Sequence, residues 1–249
     1  MEPIRIDRRA LKLDARDAMR SHKPSVYMVT FAFLFILFVL ETLSTKLQFP
    51  GLKLQEILRY SYDEDMAMQL WYAAAGRSGA SRLLDLAIAI MTVLLEGGFA
   101  LFCMNVARRA AAGVGTLFDP FAYFFRFLWL QFVTGLFIFL WSLLFIIPGI
   151  VAAYRYSMAI FIFFDDPDKG ALDCIRESKA ITAGYKGQLF MLDLSFLGWA
   201  LLSVIPFVSI FTAPYMGVTR ANYYRALSGQ TFSDEPRQQY TGYDDPWNR

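Results

Sequence analysis

Charge is what this chain of 249 residues has least of: Asp, Glu, Lys and Arg make up 18% of it and hydrophobic residues 56%. Soluble domains carry about 25% charged residues. The shortage is concentrated. Between Arg126 and Arg155 stand 28 consecutive uncharged residues, and between Asp193 and Arg220 another 26. An uncharged apolar run of about 18 residues or more reads as a membrane span, so a soluble domain, a disordered chain and a disulfide scaffold are excluded. Histidine is nearly absent, and His22 alone excludes a poly-histidine metal site. The two cysteines, Cys103 and Cys174, show no metal-ligand or redox spacing and read as packing residues. HExxH, GxSxG, CxxC and GxxxxGK[ST] are all missing. Neither Ser178 nor Ser195 has a histidine within reach on a neighbouring element. No catalytic residue, metal or cofactor is therefore expected, and a net charge of +2 is too balanced to advertise nucleic acid as a partner.

What is present is a series of apolar blocks. The first span is expected over Val26–Leu43, retained rather than cleaved because no small-x-small site follows Glu41. The second covers Leu83–Ala107, interrupted by Glu96 and edged by Asp85. The block from Phe127 to Phe164 would reach about 57 Å as one helix, nearly twice a hydrocarbon core of about 30 Å. Pro148-Gly149 near its middle predicts a hairpin, Phe127–Ile147 and Gly149–Phe164. The last block divides at Pro206 into Leu189–Ile205 and Phe207–Tyr224, with one tilted helix kinked at Pro206 as the rival. The fold class expected is all-α: a polytopic bundle of six spans with short amphipathic interfacial helices. Residues 1–24 form a basic amphipathic segment, 25–225 the membrane domain and 226–249 a disordered tail. With six spans, 18 of the 24 Lys and Arg fall on the side of the termini. That bias puts both termini in the cytoplasm of a bacterial cell membrane.

Outside the bilayer, residues 4–23 place Leu11, Ala15 and Ala18 on one helical face and Arg8, Lys12 and Arg16 on another. This suits a helix lying on an anionic inner leaflet; the plainer alternative is a positive flank that sets topology. Asp166-Pro167 predicts a helix start and Gly184 its stop, with Ala171, Ile175, Ser178 and Thr182 on one face. The external segment 45–82 carries Tyr60, Tyr62, Trp71 and Tyr72 around Asp63-Glu64-Asp65, and that acidic run reads as solvated rather than cation-binding. The tail offers Tyr243–Trp247 as a partner-binding motif.

Ionisable groups within spans point to pairing or function. Rise arithmetic puts Glu96 about 20 Å and Arg155 about 9 Å below the outer side, which predicts a Glu96–Arg155 ion pair with Asp85 as the competing acid. Arg126 and Asp193 lie within about 6 Å of the inner boundary and form the second expected pair. Either pair locks helix packing or lines a polar path. Gly97-Gly98 permits close helix approach, or local unwinding around a ligand.

Trp141–Ile150 (WSLLFIIPGI), Tyr156–Ala159, Asp165-Asp166-Pro167, Arg176-Glu177-Ser178, Gly184-Tyr185-Lys186, Leu192–Trp199, Pro214-Tyr215 and Tyr223-Tyr224 follow one another in fixed order. Together they resemble a bacterial, mainly Gram-positive family of multi-pass membrane proteins known only as a domain of unknown function. The resemblance is strongest over residues 95–225, and Thr182-Ala183 departs from it. It implies distant similarity to the membrane domain of glycerophosphodiester phosphodiesterases, hence a lipid or envelope context, and no activity. The reading is a non-catalytic binding, scaffold or lipid-proximal protein, with the lipid bilayer and a protein as partners. The alternative is a small transporter whose path passes Glu96 and Arg155.

Overall fold

The computed structural model describes residues 7–48, 79–202 and 206–229. The aromatics Tyr60, Tyr62, Trp71 and Tyr72, the acidic run Asp63–Asp65 and the tail from Gln230 lie outside the described residues. Within them the chain is all-helical, with no strand. The helices are α1 (Arg8–Ser21), α2 (Val26–Gln48), α3 (Gly79–Ala107), a 3₁₀ segment (Val114–Tyr123), α4 (Phe124–Leu144), α5 (Ile146–Tyr156), α6 (Ala159–Asp165), α7 (Ala171–Ile181), α8 (Lys186–Leu194), α9 (Leu197–Leu202) and α10 (Pro206–Leu227). Among the described residues, four stretches are long and apolar enough to cross a membrane: Val26–Lys46, Arg82–Ala107, Val114–Leu144 and Ile146–Asp165.

α1 starts where the Asp7 carboxylate accepts the Arg9 N–H at 2.8 Å, capping an orphan donor of the first turn. Its face Leu11, Ala15, Ala18 and Met19 is buried, chiefly against α10 and also against α3. The helix is therefore docked on the bundle, not laid out on the leaflet as its amphipathic pattern alone suggests. α2 and α3 follow as long helices whose rings stack, with Phe33 and Phe99 centroids 4.5 Å apart. The α2 hydroxyls of Thr30, Thr42 and Thr45 each donate to the carbonyl four residues back. Such back-bonding satisfies a hydroxyl inside its own helix and leaves the helix surface apolar.

Gly97 and Gly98 are contact points. A Cβ on Gly97 would lie 2.3 Å from the Phe127 ring, and one on Gly98 would lie 2.0 Å from the Leu117 carbonyl oxygen. The first lets α4 approach α3; the second lets the 3₁₀ segment lie on α3 backbone to backbone. In a bilayer, lipid would supply no hydrophobic drive for helices to associate, and close packing of this kind would hold them.

α4 and α5 form a hairpin whose reversal occupies one extended residue, Phe145 (φ −160°, ψ 150°). The turn thus falls ahead of Pro148-Gly149. Proline belongs in the first turn of α5, where its missing N–H has no helical acceptor to lose. Gly149 is required by the Ser142 side chain, whose Oγ would be 2.1 Å from a Cβ there. The tip is wholly apolar and open, with Leu143, Phe145, Ile146 and Ile147 68–78% exposed. The helix expected over 149–164 is interrupted at Ser157-Met158, where the Ser178 hydroxyl accepts the Met158 N–H at 3.2 Å and donates to the Arg155 carbonyl at 2.8 Å. Thr182 also donates to that carbonyl, at 3.3 Å. α7 therefore mends the break between α5 and α6 from the side.

α7 begins at Ala171 after Gly170 rather than at Asp166-Pro167, and Gly184 takes the left-handed conformation that follows its end (φ 85°). The expected helix 189–205 is likewise divided, into α8 and α9 at Ser195-Phe196. Pro206 is the first residue of α10. Phe196 and Tyr215 have ring centroids 5.6 Å apart, whereas 19 residues of one helix would separate them by about 28 Å. The chain reverses between them.

Phe102, Phe127, Phe163, Phe196 and Tyr223 are fully buried in the core. Outside it, Phe31, Phe35, Phe38, Leu83, Phe132 and Phe139 are all more than half exposed, an apolar surface of the kind that meets a membrane or a partner. Gly98→Ala is expected to lower the melting temperature in detergent, because overpacking costs about 1–3 kcal/mol and backbone cannot move aside. Gly135→Ala, with nothing within 4 Å of the new methyl, is expected to be neutral or stabilising in the same measurement.

Candidate functional site

One end of the bundle carries a polar layer built from four separate parts of the chain. Arg108, just past α3, places Nη2 2.5 Å from Asp165 Oδ1 at the end of α6. The other oxygen of Asp165 accepts the Tyr224 hydroxyl at 2.6 Å. Arg109, held at φ 55° in the turn after α3, reaches Asp14 of α1 at 3.3 Å. Asp14 also accepts from Asn222 Nδ2 at 2.8 Å, and the same amide contacts the Leu11 carbonyl at 3.4 Å. Arg225 donates to the Ala107 carbonyl, one of the acceptors a helix end leaves open, at 2.5 Å. His22 lies between the Ala110 and Pro24 carbonyls and edge-on to Phe102 at 5.8 Å. Asp14 and Asp165 each bind two partners, so the layer ties α1, α3, α6 and α10 together.

Beside it, the Arg126 guanidinium is paired with Asp168, and Lys169 Nζ is 2.7 Å from Glu177. That hydrogen bond from Lys169 to the Glu177 carboxylate holds its ammonium above the ordinary value. Burial raises the Cys174 thiol, which favours the unreactive protonated form. Above the layer, Arg220 grips Asp193 with two nitrogens, Nη2–Oδ2 at 2.7 Å and Nε–Oδ1 at 3.3 Å. Lys12 Nζ donates to Ser195 Oγ at 2.8 Å and stands 4.3 Å over the Phe196 ring. Burial, then the neighbouring Arg8 charge, lowers the Lys12 ammonium from its usual value.

The structure rearranges both pairs expected from the sequence. Arg126 and Asp193 do not meet: Arg126 opens α4 beside the segment after α6 and takes Asp168, while α10 presents Arg220 to Asp193. Glu96 and Arg155 form no ion pair. Glu96 is exposed on the stripe of Leu86, Ala89, Val93 and Ala100, because its neighbours Gly97 and Gly98 take the packed face. Arg155 is partly buried, and its Nε has no hydrogen-bond partner; Thr134 Oγ1 is the other such atom among the described residues. Pro148 and Gly149 lie in the first turn of α5, and Pro206 opens α10. Among the described residues, no group of three or more His, Cys, Asp or Glu is placed to hold a metal ion.

Nothing in the sequence gives Asp14, Asp165, Asn222 or Tyr224 a pairing role, although Asp165 and Tyr224 stand in the motifs that carry the resemblance. Their one signal is position: Asp165, Asn222 and Tyr224 lie near the end of an apolar block and Asp14 in the basic segment before the first, where a polar side chain has water or a neighbouring helix end to meet. Ser178 and Thr182 are more legible, since both fall on the one helical face they share with Ala171 and Ile175.

A family model described as a protein of unknown function (DUF975) matches residues 143–231, from the end of α4 through α10. That span includes Arg155, Asp165, Asp193 and Arg220. No curated protein and no solved structure matches the chain.

Asp165→Asn removes one charge from a carboxylate with two partners, and a loss of about 1–3 kcal/mol in unfolding free energy is expected, against about 0.5–1.5 kcal/mol for Tyr224→Phe. Denaturant titration in detergent measures both. At the second pair, Asp193→Arg and Arg220→Asp are each expected to lower the yield of monodisperse protein. The double variant is expected to recover most of it, and failure to recover would dismiss the pair as a stabilising contact.

Proposed function

We propose that the chain is a six-span protein of the bacterial cell membrane, both termini cytoplasmic, that works by binding rather than by catalysis. It is a scaffold, a partner subunit or a lipid-proximal accessory protein. The observation that carries the layout is the closure of a single polar layer by Asp14, Arg108 and Arg109, Asp165, and Asn222 to Arg225. Segments joined in one layer lie on one side of a bilayer, so an even number of crossings separates each from the next. α10, with 22 residues, has the length for one of the last two crossings. α8 and α9, running from Lys186 to Leu202, supply about 25 Å for the other. The excess of Lys and Arg on the layer's side supports a cytoplasmic orientation.

Binding is supported by how the acids are used. Asp14, Asp165, Asp168, Asp193 and Glu177 each hold a cation of the fold, which leaves them committed to structure. The resemblance to membrane domains that accompany glycerophosphodiester phosphodiesterases adds a lipid or envelope context. The exposed basic positions of α1, among them Arg9, Arg16 and Arg20, suit anionic headgroups. A small transporter is the second reading, favoured by one observation: Arg155 Nε and Thr134 Oγ1 are buried without partners on the two arms of the α4–α5 hairpin, as groups lining a polar path would be.

Single cysteines introduced by Lys46→Cys, Asp168→Cys and Ser228→Cys, probed with a membrane-impermeant maleimide, test the layout. In intact cells only position 46 is expected to react, and the other two only after the cytoplasmic side is opened. Reaction of position 228 from outside would replace the last two spans by one. Affinity purification of the tagged chain is expected to retain a stoichiometric protein or lipid. Substrate-dependent uptake into proteoliposomes would favour the transporter instead.

A further inference from the structure

Docking α1 on the bundle creates a crevice. Arg16 and Met19 of α1, Tyr27 of α2, Trp199 of α9 and Phe211, Thr212 and Tyr215 of α10 surround an open space of about 190 Å³. Its apolar lining includes the Tyr27 and Phe211 rings, 5.1 Å apart, and buried Thr212, whose hydroxyl donates to the Val208 carbonyl at 3.2 Å. The lining holds one cation and no acid. Among the described residues Arg16, which is exposed, has neither hydrogen bond nor ion pair, and exposed Arg20, one turn further along α1, has none either. Lys12, by contrast, is already engaged with Ser195 and the Phe196 ring.

These features discriminate among occupants. Pockets for whole drug-sized molecules measure about 300–1,000 Å³, so this one takes only the head of a larger ligand. The remainder would lie on Trp199 and Phe211, which are 49% and 58% exposed beside it. An inorganic anion would use Arg16 and leave the aromatic wall uncovered. A purely apolar ligand would cover the wall and leave the guanidinium unpaired. An amphiphile uses both, and the order of the lining suits one standing along the membrane normal. Arg16 precedes the first span, Tyr27 is the second residue of α2, and Phe211 lies within α10. Phosphate takes two parallel hydrogen bonds from arginine, and the Arg16 and Arg20 charges, only partly offset by exposed Asp17, favour an anionic headgroup over a zwitterionic one.

We propose that this crevice holds one anionic phospholipid of the cytoplasmic leaflet, its phosphate on the Arg16 guanidinium and an acyl chain against Phe211 and Trp199. The inference rests on the binding reading and names the ligand and place.

The test is native mass spectrometry of the full-length protein in mild detergent, titrated with phosphatidylglycerol or phosphatidylcholine. One phosphatidylglycerol is expected to be retained about tenfold more tightly than phosphatidylcholine. Arg16→Gln is expected to weaken that retention about tenfold, or about 1.4 kcal/mol, and Arg20→Gln to weaken it less. Equal retention of the two lipids, or an unchanged Arg16→Gln, overturns the proposal, as does displacement of the lipid by millimolar inorganic phosphate. A second measurement needs no variant. Wild-type protein in phosphatidylglycerol vesicles containing a diazirine-acyl phosphatidylglycerol is expected to be labelled on peptides carrying Trp199 and Phe211, and labelling spread evenly round the bundle overturns the site. The cysteine map and affinity purification do not involve Arg16, so the broader reading stands or falls separately.

Discussion

Two carboxylates, Asp14 and Asp165, hold the charged end of this bundle together. Each has a cation on one side and a neutral donor from α10 on the other: Arg109 and Asn222 for Asp14, Arg108 and Tyr224 for Asp165. The two arginines are consecutive, at the exit of α3. One short turn is thus clamped between α1 and the end of α6, and the last turns of α10 brace both carboxylates. Remove that clamp and α1 keeps its four-residue apolar face and the Lys12 contacts with Ser195 and Phe196; remove α1 and the crevice beside Tyr27 loses a wall. The exposure of these ion pairs is intermediate, so their worth lies in fixing which ends meet more than in raw stabilisation.

Within the apolar part the work passes to close packing. Gly97, Gly98 and Gly149 stand where a methyl group would overlap a neighbour, and Gly217 stands against the Cys103 sulfur at 2.6 Å from where its Cβ would be. Apart from Thr134 Oγ1 and Arg155 Nε, polar side chains there are satisfied locally, by threonines bonded to their own helix and by Ser178 and Thr182 bonded across the α5–α6 break. That break exposes backbone groups deep in an apolar segment, and a bare hydrocarbon surface there would leave them unsatisfied at a cost of several kcal/mol. α7 is what makes the interruption tolerable.

How much of this could be read beforehand differs by kind of information. Missing charge located the apolar blocks, because that is a one-dimensional property. Pro148-Gly149 announced a reversal but displaced it by three residues: proline reads as a breaker, yet its preferred place is just inside the new helix. Ser157-Met158 carries no breaker at all, and its interruption depends on a hydroxyl 20 residues downstream. Rise along a helix gives depth and not direction, which is why Arg126 and Asp193 looked like partners. Arg126 faces Asp168, and Asp193 faces Arg220. Glu96 fails for the same reason, since the glycines after it turn its side chain outward. The amphipathic pattern of α1 correctly identified the buried face, but an apolar stripe does not say whether lipid or protein will cover it.

The α4–α5 hairpin ends in Leu143, Leu144, Phe145, Ile146 and Ile147 with no polar residue to meet water. In a bilayer, such a tip would be comfortable only while the acyl region reaches it. Each square ångström left wet is disfavoured by roughly 25 cal/mol, and four large side chains more than two-thirds open make that penalty sensitive to a few ångströms of bilayer thickness. Hydrophobic mismatch would then fall on this one finger of the protein. The chain would settle in thicker regions of the membrane, or draw lipid up around the tip, through a device no larger than five residues.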